Sequence, residues 1–299
     1  MDSRLRANSG KEIEEVHRPS RATRLFVVWR KLKKSKLAVA GFGIVLFMSM
    51  VALLSPIIVP SGPAIWAGSS RSPPSMEHIF GTDNLGRDML SLVIYGARIS
   101  MFVGVAAVLL EVIIGVIIGM IAGYFGGIID DVLMRITDMV MTLPTLMLLL
   151  VAVSMFEVQS ITIIILVMGL FGWPFMARVV RGEYLSLRET TYVEAARSMG
   201  AGSWRIIVRH ILPNILSVIV VLATMDIPWF IFYEATLTFL GFGDPMSSSW
   251  GVLLERGYSL FQSGWWMMTF PGLALLFTSL GFNLFGDGLR DALDVKVRE

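Results

Sequence analysis

The chain has 299 residues, of which 55% are hydrophobic and only 16% are charged. Soluble domains carry about 25% charged residues, and the apolar residues here form long uninterrupted blocks. The composition therefore argues against a soluble enzyme and for a protein embedded in a lipid bilayer. The net charge of +2 and the lack of cysteine give no basis for a nucleic-acid partner, a disulfide or a thiolate metal site.

Six apolar segments are each long enough to cross about 30 Å of hydrocarbon. They comprise residues 37–59, 99–124, 132–156, 161–180, 211–240 and 267–285. The first 36 residues contain eleven Lys or Arg, which makes them too long and too charged for a cleavable signal peptide. The first segment is therefore expected to be retained. The predicted fold class is all-α, a polytopic membrane protein with six transmembrane helices.

Basic residues set the orientation of membrane helices, because they are retained on the cytoplasmic side. With the N-terminus inside, 21 of the 25 Lys and Arg residues lie on that side. This distribution predicts a plasma or inner membrane location with both termini cytoplasmic. The predicted divisions are a basic tail (1–36), a first transmembrane helix (37–59), an outer segment (60–98), a permease-like core (99–290) that includes a cytoplasmic loop (181–210), and a C-terminal tail (291–299).

A second outer segment, residues 243–266, contains three tryptophans, a residue that is enriched where membrane meets water. We predict that it forms a short interfacial helix and a loop.

The loop at residues 181–210 is long for a connection in a helix bundle. Its apolar residues recur at helical spacing on one face, at Tyr192, Ala195, Ala196 and Met199. Gly200 then provides a helix stop, and a second amphipathic run leads to Pro213 near the start of the next span. The pattern predicts two helices joined by a glycine turn outside the membrane, lying either on lipid or against another protein.

The loop also contains a distinctive pattern of residues. Glu194-Ala195-Ala196 is followed after three residues by Gly200, and Leu212-Pro213 comes later. This pattern resembles the EAA loop of permease subunits of bacterial and archaeal ABC importers. His210 stands where the pattern usually has isoleucine, and histidine is common there in the peptide-importer branch. Other segments between about residues 80 and 294 resemble the C-type permease of dipeptide and oligopeptide importers. They are residues 81–83, 86–88, 95–100, 122–124, 205–214, 234–235, 239–241, 249–251 and 283–291.

The resemblance implies a type I ABC importer permease fold and a non-catalytic transport subunit. Its implied partners are a homologous second permease, two ATPase subunits that hold ATP and Mg, an extracytoplasmic substrate-binding protein and membrane lipids. The substrates implied first are di- and oligopeptides, with nickel or oligosaccharides as alternatives. The residues implied to couple to the ATPase are Glu194, Ala195, Ala196, Arg197, Gly200, Arg205, His210 and Pro213.

Ionisable residues inside membrane spans mark functional sites by default. Glu111 shares a four-residue stripe with Gly115, Gly119 and Gly123, which favours a buried contact with another helix over a contact with substrate. Our candidates for the lining of a translocation pathway are Asp226, Pro228, Glu234, Asp138 and Glu111. Pro228 removes a backbone donor near Asp226, so a purely structural kink is an equal alternative.

Three other classes of protein were considered. Residues 241–244 spell the GxGD string of intramembrane aspartyl proteases, but they fall at the end of a span and no Tyr-Asp pair supplies a second aspartate. The sequence has no P-loop and no H-E-x-x-H motif, and its three histidines lack metal-ligand spacing, so no cofactor or metal is expected. A secondary transporter would use the same acidic residues with an ion gradient, whereas a scaffold would leave them unexplained.

Overall fold

The computed structural model describes residues 29–60, 62, 66 and 68–293. Most of the predicted basic tail and C-terminal tail therefore lies outside the described residues. Within the described part of the chain the secondary structure is helical, with isolated β-bridges but no strand. Its helices are α1 (Lys36–Ile58), α2 (Met89–Phe125), α3 (Gly127–Met141), α4 (Thr145–Ser154), α5 (Ile161–Gly172), α6 (Pro174–Arg188), α7 (Thr191–Ser198), α8 (Ser203–Phe242), α9 (Trp250–Tyr258) and α10 (Trp266–Leu293).

Five stretches of helix in the described residues are long and apolar enough to cross a membrane, or six if the bent pair α3 and α4 is one span. They are α1, α2, the pair α5 and α6, α8, and α10. This agrees with the predicted fold class. The second and fifth spans are longer than predicted, because α2 begins at Met89 and α8 begins at Ser203.

The third predicted span, residues 132–156, is not a single straight helix. It is divided between α3 and α4, whose axes differ by 87°. Pro144 precedes α4 and lacks the N–H that would continue the α3 hydrogen-bond ladder. Pro174 disturbs the fourth span much less than Pro144 disturbs the third, since α5 and α6 together form one span. It occupies the first position of α6, where its missing N–H is tolerated.

The glycines on one face of α2 bring its backbone against α6. A Cβ atom added at Gly119 would lie 2.5 Å from the carbonyl oxygen of Ala177, and one at Gly123 would lie 2.7 Å from that of Arg181. Gly115 faces the side chain of Met176 in the same way. Because no larger residue fits at these positions, the two helices pack as closely as small-residue membrane interfaces allow.

An ion pair attaches α3 to α6 near the same interface. Arg181 donates from Nε and Nη2 to the two carboxylate oxygens of Asp130, at 2.5 and 2.6 Å. This two-point geometry is the strongest that an Arg and a carboxylate can form, and both side chains are at least two-thirds covered. A second pair, Arg178 with Asp138 at 2.6 Å, is largely exposed.

The outer segment before α2 is a compact turn built around Asp83. Its Oδ1 accepts hydrogen bonds from the backbone N–H groups of Leu85 and Arg87, both at 2.8 Å. The Arg87 side chain donates to Oδ2, and Trp266 of α10 donates its indole N–H to the Thr82 carbonyl at 2.9 Å. The Gly-Thr-Asp and Gly-Arg-Asp segments of the sequence therefore fasten the outer segment to the ends of α2 and α10.

The short helix predicted in the second outer segment is α9, but two of the three tryptophans that suggested an interfacial position, Trp250 and Trp266, are buried. Trp250 at its start is fully buried and donates its indole N–H to the Val93 carbonyl of α2 at 3.0 Å. Trp250 therefore anchors α9 to the bundle. Burial lowers the pKa of Arg256 on the same helix, and the nearby positive charge of Arg87 acts in the same direction.

Substituting Gly119→Ala should lower the free energy of unfolding by about 1–3 kcal/mol, because the new methyl group meets a backbone carbonyl that cannot move aside. Gly182→Ala on α6 is the matched control, since its Cβ would have no neighbour within 4 Å. Thermal unfolding of the purified protein in detergent measures both. Equal melting temperatures for the two variants would contradict a backbone contact between α2 and α6.

Arg181→Lys should destabilise the protein by roughly 1–3 kcal/mol, because a lysine cannot satisfy both oxygens of a largely covered carboxylate. Arg178→Lys, at the exposed pair, should cost less than about 1 kcal/mol. The same thermal measurement compares them. A larger loss at Arg178 than at Arg181 would refute the assignment of the α3 attachment to Asp130.

Candidate coupling segment and intramembrane cavity

Helix α7 is attached to the bundle by one narrow apolar face. Val193 and Ala196 are both buried. Val193 belongs to an apolar cluster that also contains Tyr184 of α6 and isoleucines at the start of α8. The Tyr184 hydroxyl, itself buried, donates to the Ile207 carbonyl at 3.2 Å. The position of α7 is thus determined by packing against both α6 and α8.

The other side of α7 is exposed. Glu194, Ala195 and Arg197 are exposed, and Met199 is 82% exposed. We expected Tyr192, Ala195, Ala196 and Met199 to share one face. The buried face is instead formed by Val193 and Ala196, Tyr192 is half-buried, and Ala195 and Met199 point away from the bundle.

A glycine turn ends α7, as its sequence predicts. Gly200 has a φ of +84°, a conformation that residues with a Cβ atom rarely adopt. The Gly200 N–H donates to the Arg197 carbonyl and the Ala201 N–H donates to the Ala196 carbonyl, both at 3.0 Å. These are the two hydrogen bonds of a Schellman motif, which fixes the angle at which the chain leaves α7.

The second short helix expected after this turn is not separate, because it forms the first turns of α8. Trp204 and Arg205 are exposed there, Trp204 by 65%. Residues Ile206–Ile211 form a π-helical turn, in which the Leu212 N–H donates to the Ile207 carbonyl. Pro213 lacks an N–H and its ring crowds the carbonyl four residues earlier, which accounts for the wider turn.

His210 contributes its backbone to this turn. The Asn214 side-chain amide donates to the His210 carbonyl at 2.6 Å, and the Tyr192 hydroxyl of α7 lies 3.4 Å from the same oxygen. The His210 carbonyl in the widened turn is thereby satisfied by side chains from both α7 and α8.

Two of the five predicted pathway positions meet in a cavity of about 330 Å³ that opens at the surface of the bundle, where Phe175 and Trp229 are about half exposed. Glu111 of α2 and Asp226 of α8 both line it. Aromatic side chains that the sequence did not single out form much of its wall, and they are Phe175, Trp229, Phe230 and Tyr233. Phe175 lies on α6, whereas Trp229, Phe230 and Tyr233 follow Asp226 along α8 at intervals of three, four and seven residues, and only that spacing could have indicated a shared face.

The other three positions lie elsewhere. Asp138 pairs with Arg178 on an exposed surface, and Pro228 is buried within α8, which continues through it. Glu234 is buried and accepts hydrogen bonds from Ser100 at 3.0 Å and Thr238 at 3.2 Å. The Ser100 hydroxyl in turn accepts a hydrogen bond from the backbone N–H of Trp250 at 3.1 Å. Glu234 therefore links α8, α2 and α9.

The glycines of the α2 stripe form the helix contact that the sequence predicted, whereas Glu111, for which we favoured a contact with another helix over a contact with substrate, lines the cavity. The three glycines pack on α6, and Glu111 lies one turn further along the same face, where the contact gives way to the cavity. The sequence could not show that Asp226 lies across that cavity.

Comparison with known proteins identifies the family. Residues 115–299 match the family described as binding-protein-dependent transport system inner membrane component. Residues 23–75 match the N-terminal TM domain of oligopeptide transport permease C. An inward-facing structure of the MetNI methionine ABC transporter superposes with a TM-score of 0.57 at 20% identity, over 68% of this chain and 97% of that chain, which supports the fold.

Two curated relatives are similar over nearly their whole length. The dipeptide transport system permease protein DppC of Bacillus subtilis is 41% identical over 297 residues, covering 98% of this chain and 92% of that protein. The oligopeptide transport system permease protein OppC of Escherichia coli is 42% identical over 275 residues, covering 90% of each. The chain therefore belongs to the family of binding-protein-dependent transport system inner membrane components, as an ABC importer permease of the DppC and OppC type.

Proposed function

We propose that this chain forms half of the translocation pathway of an importer for dipeptides or oligopeptides and couples to ATPase subunits through α7 and the start of α8. Relatives named for dipeptide and oligopeptide transport support the substrate class. The observation that carries the coupling role is the geometry of α7, whose inner face is packed into the bundle while Glu194, Ala195 and Met199 are exposed.

In this proposal the complex contains a homologous second permease, two ATPase subunits that bind ATP and Mg, and a substrate-binding protein that delivers peptide to the outer segments 60–98 and 243–266. Both termini and α7 lie in the cytoplasm. The surface that docks the ATPase comprises Glu194, Ala195, Arg197, Gly200, Arg205, His210 and Pro213, with Met199 and Trp204 as further exposed apolar contacts. Ala196, which was also predicted to couple, is buried and packs α7 onto the bundle.

Helix α8 provides the mechanical connection. It runs without a gap from Ser203, beside α7, to Asp226 in the cavity and on to Phe242. When ATP draws the two ATPases together, a displacement of α7 would be transmitted along this helix and would alternate the access of the cavity between the two sides of the membrane.

Reconstitution of the complete importer in proteoliposomes tests the proposal. We expect uptake of labelled dipeptide or tripeptide that requires ATP on the side of the membrane where the ATPase subunits lie. This uptake should persist when an uncoupler dissipates ion gradients. Uptake that needs a gradient but no ATPase would identify a secondary transporter instead. Uptake of nickel or an oligosaccharide in place of peptide would overturn the substrate class while leaving the coupling role intact.

Gly200→Val should reduce ATP-driven uptake by about tenfold or more, because a β-branched residue cannot adopt a φ of +84° without distorting the turn after α7. Gly202→Val is the matched control, since Gly202 has a φ of −65° and a ψ of 153°, which valine adopts freely. Initial uptake rates and co-purification of the ATPase subunits measure the effect. Full coupling in the Gly200 variant would rule out a role for this turn.

A further inference from the structure

Two carboxylates meet in the interior of the bundle without a positive charge to balance them. Glu111 is only 2% exposed, and its Oε2 atom is buried with no hydrogen-bond partner. The Oδ2 atom of Asp226 is buried and lacks a partner as well. Both residues line the same cavity, and none of the described residues around it is basic. The cavity therefore holds two carboxyl groups, each with a buried oxygen that no described residue donates to, and its lining contains no basic side chain.

Such an arrangement is costly unless something neutralises it. An ionised carboxylate without hydrogen bonds costs several kcal/mol to bury, and Glu111 and Asp226 also repel each other when both are ionised. The residues that line the cavity cannot supply the missing positive charge. Without such a charge the two groups are stable in the cavity as neutral acids, and a cation that enters from outside the chain stabilises them as anions.

The walls of the cavity indicate what kind of cation fits. Phe175, Trp229 and Tyr233 are among its lining residues, and the rings of Trp229 and Tyr233 lie 6.4 Å apart. Aromatic faces attract ammonium groups, whereas a divalent metal requires several oxygen or nitrogen ligands. No group of three His, Cys, Asp or Glu residues in the described part of the chain could hold a metal ion. Two carboxylates beside aromatic rings therefore match an organic ammonium.

We propose that Glu111 and Asp226, with Trp229 and Tyr233, form a binding site for a primary ammonium group carried by the transported substrate. The inference rests on the proposed function. At about 330 Å³ the cavity lies near the small end of ligand pockets, so it accommodates one amino-acid residue and its ammonium while the rest of a peptide extends along the pathway. The ammonium belongs either to the peptide amino terminus or to a lysine side chain.

Uptake by the reconstituted importer tests the site with three substrates, trialanine, N-acetyl-trialanine and N-acetyl-Ala-Lys-Ala. The Glu111→Gln/Asp226→Asn variant keeps the shape of both side chains and removes their charge. The unchanged binding protein contributes equally to both complexes, so its own preferences cancel when each variant rate is divided by the wild-type rate. We expect this ratio to fall at least tenfold for trialanine and to stay near one for N-acetyl-trialanine.

If the rate ratio for N-acetyl-Ala-Lys-Ala falls as well, the site accepts either ammonium group. If that ratio stays near one, the site is specific for the amino-terminal ammonium. Glu157→Gln, which neutralises an exposed carboxylate away from the cavity, should leave all three ratios near one. Equal losses for trialanine and N-acetyl-trialanine would overturn the ammonium site without affecting the proposed function. The absence of ATP-driven peptide uptake by the wild-type complex would instead refute the proposed function.

A second measurement does not depend on transport. Dicyclohexylcarbodiimide reacts with protonated carboxyl groups in apolar surroundings, so mass spectrometry of the purified complex can follow the labelling of Glu111. Trialanine or butylammonium in the site should protect Glu111, and N-acetyl-trialanine should not. Unchanged labelling in the presence of both amines would overturn the proposal, because the carboxylates would then bind only protons.

Discussion

The structure depends first on the backbone contact between α2 and α6. Glycines repeat every fourth residue along α2 at positions 115, 119 and 123, and each of them allows the neighbouring helix to approach where a side chain would collide with it. Lipid provides no hydrophobic driving force between membrane helices, so this close packing has to hold them together. Because the contact is specific to the position of each glycine, it also fixes how far α6 is shifted along α2.

That fixed register places two distant features relative to each other. At one end of the stripe Glu111 leaves the helix contact and enters the cavity. At the other end α6 continues to Arg188 and is followed by α7. Tyr184, which packs on Gly123 and bonds to Ile207, connects the stripe to the start of α8. Helix α7 is therefore connected by packing, through α6 and the start of α8, to the two helices that contribute carboxylates to the cavity.

The sequence predicts elements that depend on local chemistry, and it fails where distant residues meet. Long apolar blocks identified the spans, and Gly200 identified the turn after α7, because length and backbone conformation are local properties. Pro144 accounts for a break in the third span, but the size of the bend depends on how α4 packs on α5, which the sequence does not show. The pairs Asp130 with Arg181 and Glu111 with Asp226 are separated by many residues in the chain. Composition and spacing contain no information about such pairs.

Two buried glutamates show how the same residue can serve structure or a ligand. Glu234 and Glu111 are equally inaccessible, each 2% exposed, yet Glu234 accepts hydrogen bonds from Ser100 and Thr238. The fold is thus able to satisfy a carboxylate in the middle of the bundle with hydroxyl groups from neighbouring helices. At Glu111 it supplies glycines, aromatic rings and a second carboxylate instead. A buried acid with an oxygen that lacks a donor is stable either as the neutral acid or beside a cation that enters the cavity, and the second state is the one that we propose for a substrate in passing.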